Sequence, residues 1–269
     1  MSLEAAGQAI NGMFGVRAQS GLSKVAMLRM YVQWCLDNGV PDACPDLLAL
    51  KKSGVAGVDT QTVRDPDDLQ DFLDTILDDE NMYTSDCLVR LYLWLAFAGV
   101  DESELPELTV KDVDSKSGAV YSKTELYHIE FQGIRALKTC MKPTFQKVGK
   151  NTISPRARVS GDKLLRGIRA DVNVQQLRNV LVRKNKAAFD NHKTDKRLSY
   201  FRVWISGVFY RMYAWEKQGN VPDFAMVAMR HMARTEYSEM SHNDRQRKFN
   251  QLRKNYLIDY ERWKEVYNL

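Results

Sequence analysis

Residues 85–99, SDCLVRLYLWLAFAG, are apolar at nearly every position and are bounded by Ser85 and Gly99. Serine is favoured at the start of a helix, and glycine is favoured just after its end. Because a helix that is apolar on all sides has no face for solvent, this pattern predicts a helix at the centre of a core.

Other stretches repeat hydrophobic residues at helical spacing. In one of them Asp65 stands where an N-cap belongs, and Pro66 stands at the first helical position. Besides 85–99, helices are predicted at about 24–38, 65–77, 134–140, 162–170, 173–189, 199–217, 223–233 and 243–266, with a short one near 45–52.

Two short strings, GAVYS and YHIEF, flank a connection at Lys123–Leu126 and predict a β-hairpin. Residues 142–162 combine proline, glycine and serine with many charges, which predicts a loop. The predicted fold class is therefore α+β, mainly helical with a small antiparallel sheet.

Charge is divided unevenly along the chain. Residues 1–140 carry 12 Lys+Arg and 22 Asp+Glu, a net charge of −10, whereas residues 141–269 carry 27 and 12, a net charge of +15. Cations that neutralise phosphates release counterions, so the basic half favours duplex DNA as a partner over a merely solvated surface. The candidate DNA-binding residues are Lys142, Lys147, Lys150, Arg156, Arg158, Lys163, Arg166, Arg169, Lys193, Lys196 and Arg197.

The acidic half suggests a different partner. Residues 1–100 hold 7 basic and 14 acidic residues, so this part is expected to contact a second protein or a neighbouring copy of the chain rather than DNA.

Cysteine usage and hydropathy restrict the compartment. The four cysteines are scattered and form no C-x-x-C pair, so neither a zinc site nor a disulfide framework is expected. No apolar run approaches the roughly 20 residues of a membrane span, and the N-terminus lacks signal-peptide character. A cytoplasmic protein without metal, cofactor or membrane contact is the expectation.

The string LYLWLAFAGVDESELPELTVKDVD resembles the first conserved box of the tyrosine recombinase (phage integrase) family. In that box a hydrophobic helix leads into thr-gly-x-arg, then glu-leu, and then a hydrophobic-aspartate step into a hairpin. The matching residues are Gly99, Glu104, Leu105, Leu108, Asp112 and Val113.

The string LSYFRVWISGVFYRMYAWEKQGNVPDFAMVAMRHM is similar to the family's second box, in which his-x-leu-arg-his is followed by a helix, a glycine turn and gly-his. Arg202 occupies the arginine position, and Gly219 and His231 fall near the later glycine and histidine. The resemblance implies an N-terminal helical DNA-gripping (core-binding-type) domain at 1–80 and an integrase-like catalytic-type domain at 81–269.

The family's tyrosine attacks a DNA phosphodiester, while arginines and a histidine hold the phosphate oxygens and a hairpin lysine protonates the leaving oxygen. Here the first arginine position holds Asp101, and the box histidine is replaced by Ser199. A carboxylate repels phosphate and, when ionised, donates no hydrogen bond. These departures indicate a catalytically degenerate member of the family.

The residues that remain compatible with catalysis are Lys123, Arg202, His231 and Tyr256. Met240 stands where the family's spacing places the nucleophile, so Tyr256 fits only across an insertion, and Tyr260 is the other choice. Each also has a structural interpretation: Arg202 as an ion-pair partner of Asp101, His231 as a packed histidine, and the tyrosines as part of an amphipathic stripe.

Three functions therefore stay open. The leading one is a DNA-binding accessory or regulatory factor of a phage or mobile element that does not cleave DNA. The second is a divergent active recombinase that forms a 3′-phosphotyrosine, and the third is a protein-interaction scaffold.

Overall fold

The computed structural model describes residues 18–39, 45–49, 61–77, 84–123, 125–148, 153–167, 170–233 and 240–269. Contacts divide the chain into two compact units, Met1–Gln61 and Thr62–Leu269. In the smaller unit, helix α1 (Ala18–Asp37) packs with a short 3-10 helix (Pro45–Ala49).

The larger unit is mostly helical and contains two small sheets. Its helices are α2 (Pro66–Ile76), α3 (Thr84–Ala98), α4 (Phe131–Met141), α5 (Val174–Asp190), α6 (Tyr200–Glu216), α7 (Ala225–Met232) and α8 (His242–Tyr267). Its strands are β1 (Val113–Asp114), β2 (Ala119–Tyr121), β3 (Leu126–His128), β4 (Thr144–Val148) and β5 (Ile153–Ala157), and a 3-10 turn at Val110–Asp112 precedes β1.

Helix α3 is the centre of the core, as its sequence predicts. Every residue from 86 to 100 is buried, and the helix contacts α4, α5 and α6. Helix α6 comes so close that a Cβ atom built on Gly207 would lie 1.9 Å from the Phe97 carbonyl oxygen. Glycine at 207 therefore permits the close crossing of α3 and α6.

Helix α8 ties the C-terminus to the start of the larger unit. Trp263 Nε1 donates to the Val63 carbonyl at 3.0 Å, and the Tyr267 hydroxyl donates to the Thr62 carbonyl at 2.7 Å. The buried face of the helix consists of Leu252, Tyr256, Tyr260 and Trp263.

The first sheet is antiparallel, with strand order β1-β2-β3 and with Val120 opposite both Val113 and Tyr127. It contains the predicted hairpin and one additional short strand. The α+β class with a small antiparallel sheet is thus confirmed.

Two local predictions were wrong. Residues 142–162 do not form only a loop, because β4 and β5 pair there as a second antiparallel ribbon, with Gln146 opposite Pro155. Residues 162–167 form bends and isolated β-bridges instead of the predicted helix. Backbone pairing in a ribbon depends little on side-chain type, so charged, proline-containing strands are easily mistaken for a loop.

Contacts divide the compact units at 61/62, whereas the domain boundary that the resemblance implies, at 80/81, stays a prediction. Helix α2 buries Leu69, Leu73 and Ile76 and contacts α4 and α5 of the larger unit. Because this hydrophobic stripe packs against the larger unit, α2 belongs to the core of that unit.

Candidate functional site: the cleft at Asp101 and the basic surfaces

Two side chains of α6 hold the chain that leaves α3. Trp204 Nε1 donates to the Gly99 carbonyl at 3.0 Å, and the Tyr200 hydroxyl donates to the Val100 carbonyl at 2.8 Å. The last carbonyls of a helix lack partners within the helix, so these bonds satisfy groups that would otherwise be buried without one. They also fix the position of the next residue, Asp101.

A third α6 side chain reaches the same helix end. Arg211 Nη1 donates to the Phe97 carbonyl at 2.5 Å, and Arg211 Nη2 lies 2.8 Å from where a Cβ on Gly99 would be. Although Arg211 as a whole is exposed, burial around its guanidinium lowers the pKa of this group to about 10. Gly99, at φ +101°, therefore leaves room for this arginine and also adopts a backbone conformation that suits glycine.

Asp101 is engaged in a local turn. Its Oδ1 accepts hydrogen bonds from Ser103 N at 2.9 Å and from Ser103 Oγ at 2.7 Å. No ion pair joins Asp101 to Arg202, although both residues lie in the described part of the chain, so the structural pairing considered from the sequence is not formed. Ser199 instead caps α6, and its Oγ accepts from the Arg202 backbone N–H at 3.3 Å.

Asp101 lies in the wall of an open cleft of about 1180 Å³. Residues from the turn after α3, the start of β3, the start of α5, and helices α6 and α7 line this cleft. Its charged lining residues are Asp101, Glu102, Glu104, Glu125, Arg178 and Arg230. Four carboxylates and two guanidinium groups give the lining a net charge of −2 at neutral pH.

Both arginines of the cleft are already paired with its carboxylates. Arg178 Nε donates to Glu102 Oε1 at 2.8 Å, and Arg230 forms an ion pair with Glu125 in the first hairpin. The guanidinium groups are therefore neutralised in place, and the remaining charge of the cleft is negative.

Burial, assisted by nearby carboxylates, raises the pKa of two tyrosines beside the cleft. Burial, above all, raises the pKa of the Tyr200 hydroxyl, and Glu102, Asp101 and Glu104 raise it further. Burial also raises the pKa of Tyr92, whose hydroxyl donates a hydrogen bond to Glu102. A phosphodiester entering this cleft would meet the same carboxylates.

Two of the predicted catalytic residues contact each other. His231 Nδ1 lies 2.6 Å from the Tyr256 hydroxyl oxygen, and Tyr256 is only 6% exposed. Tyr260, the other candidate nucleophile, is fully buried and donates to Glu216 Oε2 at 2.5 Å. Tyr260 is thus a packed core residue with its hydroxyl committed to a carboxylate.

The other two predicted catalytic residues lie elsewhere on the surface. Lys123 is exposed at the end of the β2–β3 hairpin, and Arg202 lies in the first turn of α6. The cleft at Asp101 is lined by none of Lys123, Arg202, His231 and Tyr256. The structure therefore brings together one pair of this set and does not assemble all four around the cleft.

Two predicted DNA-binding arginines are buried and hold the backbone. Arg158 is 6% exposed and donates to the carbonyls of Lys142, Arg166 and Thr139 at 3.0, 2.7 and 3.3 Å. Arg166 is 9% exposed and donates to the Gly161 carbonyl at 2.7 Å. Both guanidinium groups are therefore buried and donate to backbone carbonyls, and their contact with DNA stays a prediction.

Two residues of the predicted basic turn also have internal partners. Lys196 Nζ lies 2.7 and 2.8 Å from the two carboxylate oxygens of Asp68, and the Arg197 guanidinium stacks 3.6 Å from the centre of the Phe189 ring. Arg197 remains exposed and keeps its charge available to solvent.

The remaining predicted residues are less constrained. Lys142 and Lys193 are exposed, and Lys163 lies 3.7 Å from Glu107. The backbones of Lys147 and Arg156 belong to β4 and β5. Lys150 and Arg169 lie outside the described residues.

A basic surface that the sequence prediction omitted lies on α8. Residues 245–254 contain five cations and no carboxylate: Arg245, Arg247, Lys248, Arg253 and Lys254. Four of them are exposed, and Lys248 is half-buried. Arg253 pairs with Asp223 at 2.7 Å. The acid-free run of cations is visible in the sequence, within the helix predicted at about 243–266.

Comparison with protein-family models gives no match, and comparison with curated proteins gives none either. Among the described helices, none combines the length and the apolar character that a membrane crossing requires. Within residues 18–269, apart from the ranges left undescribed, no three His, Cys, Asp or Glu side chains are grouped so that they could hold a metal ion.

Proposed function

We propose that this chain binds duplex DNA through exposed cations of its C-terminal half and does not cleave it. The observation that carries the proposal is the separation of charge within the larger unit. Residues 245–254 of α8 carry five cations and no carboxylate, and one of these cations, Arg253, pairs with Asp223, whereas carboxylates dominate the cleft that contains Asp101.

Helix geometry gives α8 a basic outward face. At 3.6 residues per turn, Arg247 and Lys254 point away from the buried stripe of Leu252, Tyr256 and Tyr260. They are seven residues apart, which corresponds to about 10.5 Å along the helix axis at 1.5 Å per residue. Two cations at this spacing on one exposed face suit a phosphate backbone, which also extends along one direction.

The position of these cations argues against a purely structural role. Basic residues stabilise a helix near its C-terminus, where the helix dipole is negative, and not near its N-terminus. The run 245–254 begins in the first turns of α8. Helix stability therefore does not explain the charge, and an anionic partner does.

The lack of cleavage follows from the cleft chemistry. Phosphoryl transfer needs donors that stabilise the negative charge of the transition state, and loss of one such donor costs about 2.7–4 kcal/mol. Asp101 supplies a negative charge at the position where the family's pattern has an arginine, and both cleft arginines are paired with glutamates. The resemblance to tyrosine recombinases then supports an accessory or regulatory factor of a phage or mobile element that holds DNA.

The proposal is tested by binding of a fluorescent random duplex, followed by denaturing electrophoresis. Binding without a covalent adduct is the expected result. The double variant Arg247→Gln/Lys254→Gln should bind more weakly than Lys111→Gln/Lys116→Gln, which removes the same charge from exposed positions around β1. Equal affinity for the two variants would refute the assignment of α8.

One observation favours a second candidate, a divergent strand transferase. The His231–Tyr256 contact at 2.6 Å places a general base next to a hydroxyl nucleophile, which is an arrangement used in covalent catalysis. A nicked suicide substrate would then leave an adduct on the wild-type protein and none on Tyr256→Phe. An adduct that depends on Tyr256 would replace the first proposal with this one.

A further inference from the structure

The cleft that contains Asp101 has features of a binding site that DNA does not explain. This open cleft has a volume of about 1180 Å³, and its charged lining is dominated by carboxylates. We propose that this cleft docks a cationic, partly apolar segment of a protein partner. The inference does not rest on DNA binding, because it uses a different surface from α8.

The charges of the cleft fit a basic ligand better than an acidic one. Glu102 and Glu125 are neutralised by Arg178 and Arg230, and among the described residues the carboxylate of Asp101 accepts hydrogen bonds from the uncharged Ser103. A lysine or arginine of a partner finds at Asp101 a carboxylate without a cationic partner. An entering carboxylate or phosphate finds cations that are already paired.

The apolar part of the cleft argues for a peptide rather than for a small inorganic cation. Met226 and Met229 lie on α7 three residues apart, so they share one face, and they are 61% and 55% exposed. Both line the cleft, together with the largely buried Trp204. Flexible methionine side chains adapt to varied apolar partners, so a segment that alternates basic and aliphatic residues matches both parts of the lining.

The walls of the cleft are held in place before any ligand arrives. Trp204 and Tyr200 fix the turn that leads into Asp101, and the Arg230–Glu125 ion pair joins α7 to the hairpin. A preformed site loses little conformational entropy on binding, which supports docking to the free protein.

The test uses the full chain and a short fluorescein-labelled peptide that alternates arginine with leucine. A peptide with glutamate in place of arginine is the control ligand. We expect anisotropy to report binding of the basic peptide, weakened by salt, and no binding of the acidic one. The variant Asp101→Asn/Glu104→Gln keeps the shapes of the side chains, removes two negative charges from the cleft wall, and should weaken binding about tenfold.

The control variant is Asp71→Asn/Glu265→Gln, which removes two exposed carboxylates outside the cleft and should bind like the wild type. Equal losses for the two variants would mean that only overall charge matters, and no loss in either would place the peptide elsewhere. Either result would overturn the inference. So would the absence of binding between the wild-type protein and the basic peptide.

A second pair of variants keeps the test valid if Asp101→Asn/Glu104→Gln does not fold. Met226→Ser should weaken peptide binding, whereas Val221→Ser, which is 86% exposed and outside the cleft, should not. Self-association that Asp101→Asn/Glu104→Gln abolishes, without peptide binding, would contradict the proposed partner and identify a second copy of the chain as the occupant.

Discussion

The indole Nε1 of Trp204 donates a 3.0 Å hydrogen bond to the carbonyl oxygen of Gly99, and this bond joins α6 to the exit of α3. Trp204 is 7% exposed, so the bond is sheltered from water. It connects the core of the larger unit with the cleft at Asp101, because residues 99 and 101 belong to the same turn.

Replacement of Trp204 by phenylalanine should therefore destabilise the protein. The change keeps an aromatic ring but removes the N–H donor, which leaves the Gly99 carbonyl without its partner at a cost of about 1–3 kcal/mol. Urea unfolding measures the loss. Trp215→Phe is the control, because Trp215 is 55% exposed and its replacement should change stability by less than about 0.5 kcal/mol. Equal effects would show that the indole bond contributes nothing.

The substitution Gly207→Ala should be more damaging than its size suggests. The added Cβ would lie 1.9 Å from the Phe97 carbonyl oxygen, so α6 must move away from α3. Overpacking in a core costs about 1–3 kcal/mol, and more where backbone must shift. Thermal unfolding followed by circular dichroism measures the effect. Ala214→Ser, at an exposed position of the same helix, should leave the midpoint nearly unchanged, and a Gly207→Ala midpoint as high as the control's would contradict the close crossing.

The substitution Arg158→Gln should lower the stability of the fold, whether or not it also lowers DNA affinity. Its guanidinium donates to three carbonyls in a buried site. A hydrogen bond from a charged group contributes about 1.5–3 kcal/mol to the free energy of unfolding. We expect a loss of about 2 kcal/mol or more in urea unfolding. Lys142→Gln, at an exposed position, should have little effect. If the Arg158→Gln protein is as stable as the wild type but binds DNA more weakly, Arg158 contacts DNA and does not serve mainly to hold the backbone.

Glu216 should make stability depend on pH in the acidic range. The hydrogen bond from Tyr260, assisted by Lys264, lowers the pKa of Glu216 below its usual value. Since the folded pKa lies below the unfolded one, this stabilisation is complete above about pH 5 and is lost as the pH falls through the folded pKa. The difference in unfolding free energy between wild type and Glu216→Gln should therefore shrink between about pH 5 and pH 3. A difference that stays constant over this range would show that the carboxylate charge is not involved.

The sequence was sufficient for the elements whose hydrophobic pattern is strong. Helix α3 is apolar all round and occupies the core, and α6 follows Ser199, a favoured N-cap residue. The ribbon of β4 and β5 was missed because its strands carry charges and proline, and its pairing uses backbone groups that the side chains do not reveal.

The site was harder to predict because charge alone does not tell whether a side chain faces solvent. Arg158 lies in a strongly basic stretch, yet its donors are used by carbonyls that the fold brings from residues 139, 142 and 166. Such contacts depend on tertiary structure. The sequence raised Arg202 as a possible ion-pair partner of Asp101, but the Asp101 carboxylate accepts from Ser103 instead.

The salt dependence of DNA affinity shows whether the cations of α8 contact phosphates. The logarithm of the association constant falls with the logarithm of salt concentration by about 0.9 per phosphate neutralised. If Arg247 and Lys254 each contact a phosphate, the slope for Arg247→Gln/Lys254→Gln should be smaller than the wild-type slope by about 1.8, and Lys111→Gln/Lys116→Gln should keep the wild-type slope. An unchanged slope for the α8 variant, or wild-type binding that salt does not weaken, would rule out phosphate binding by these two residues.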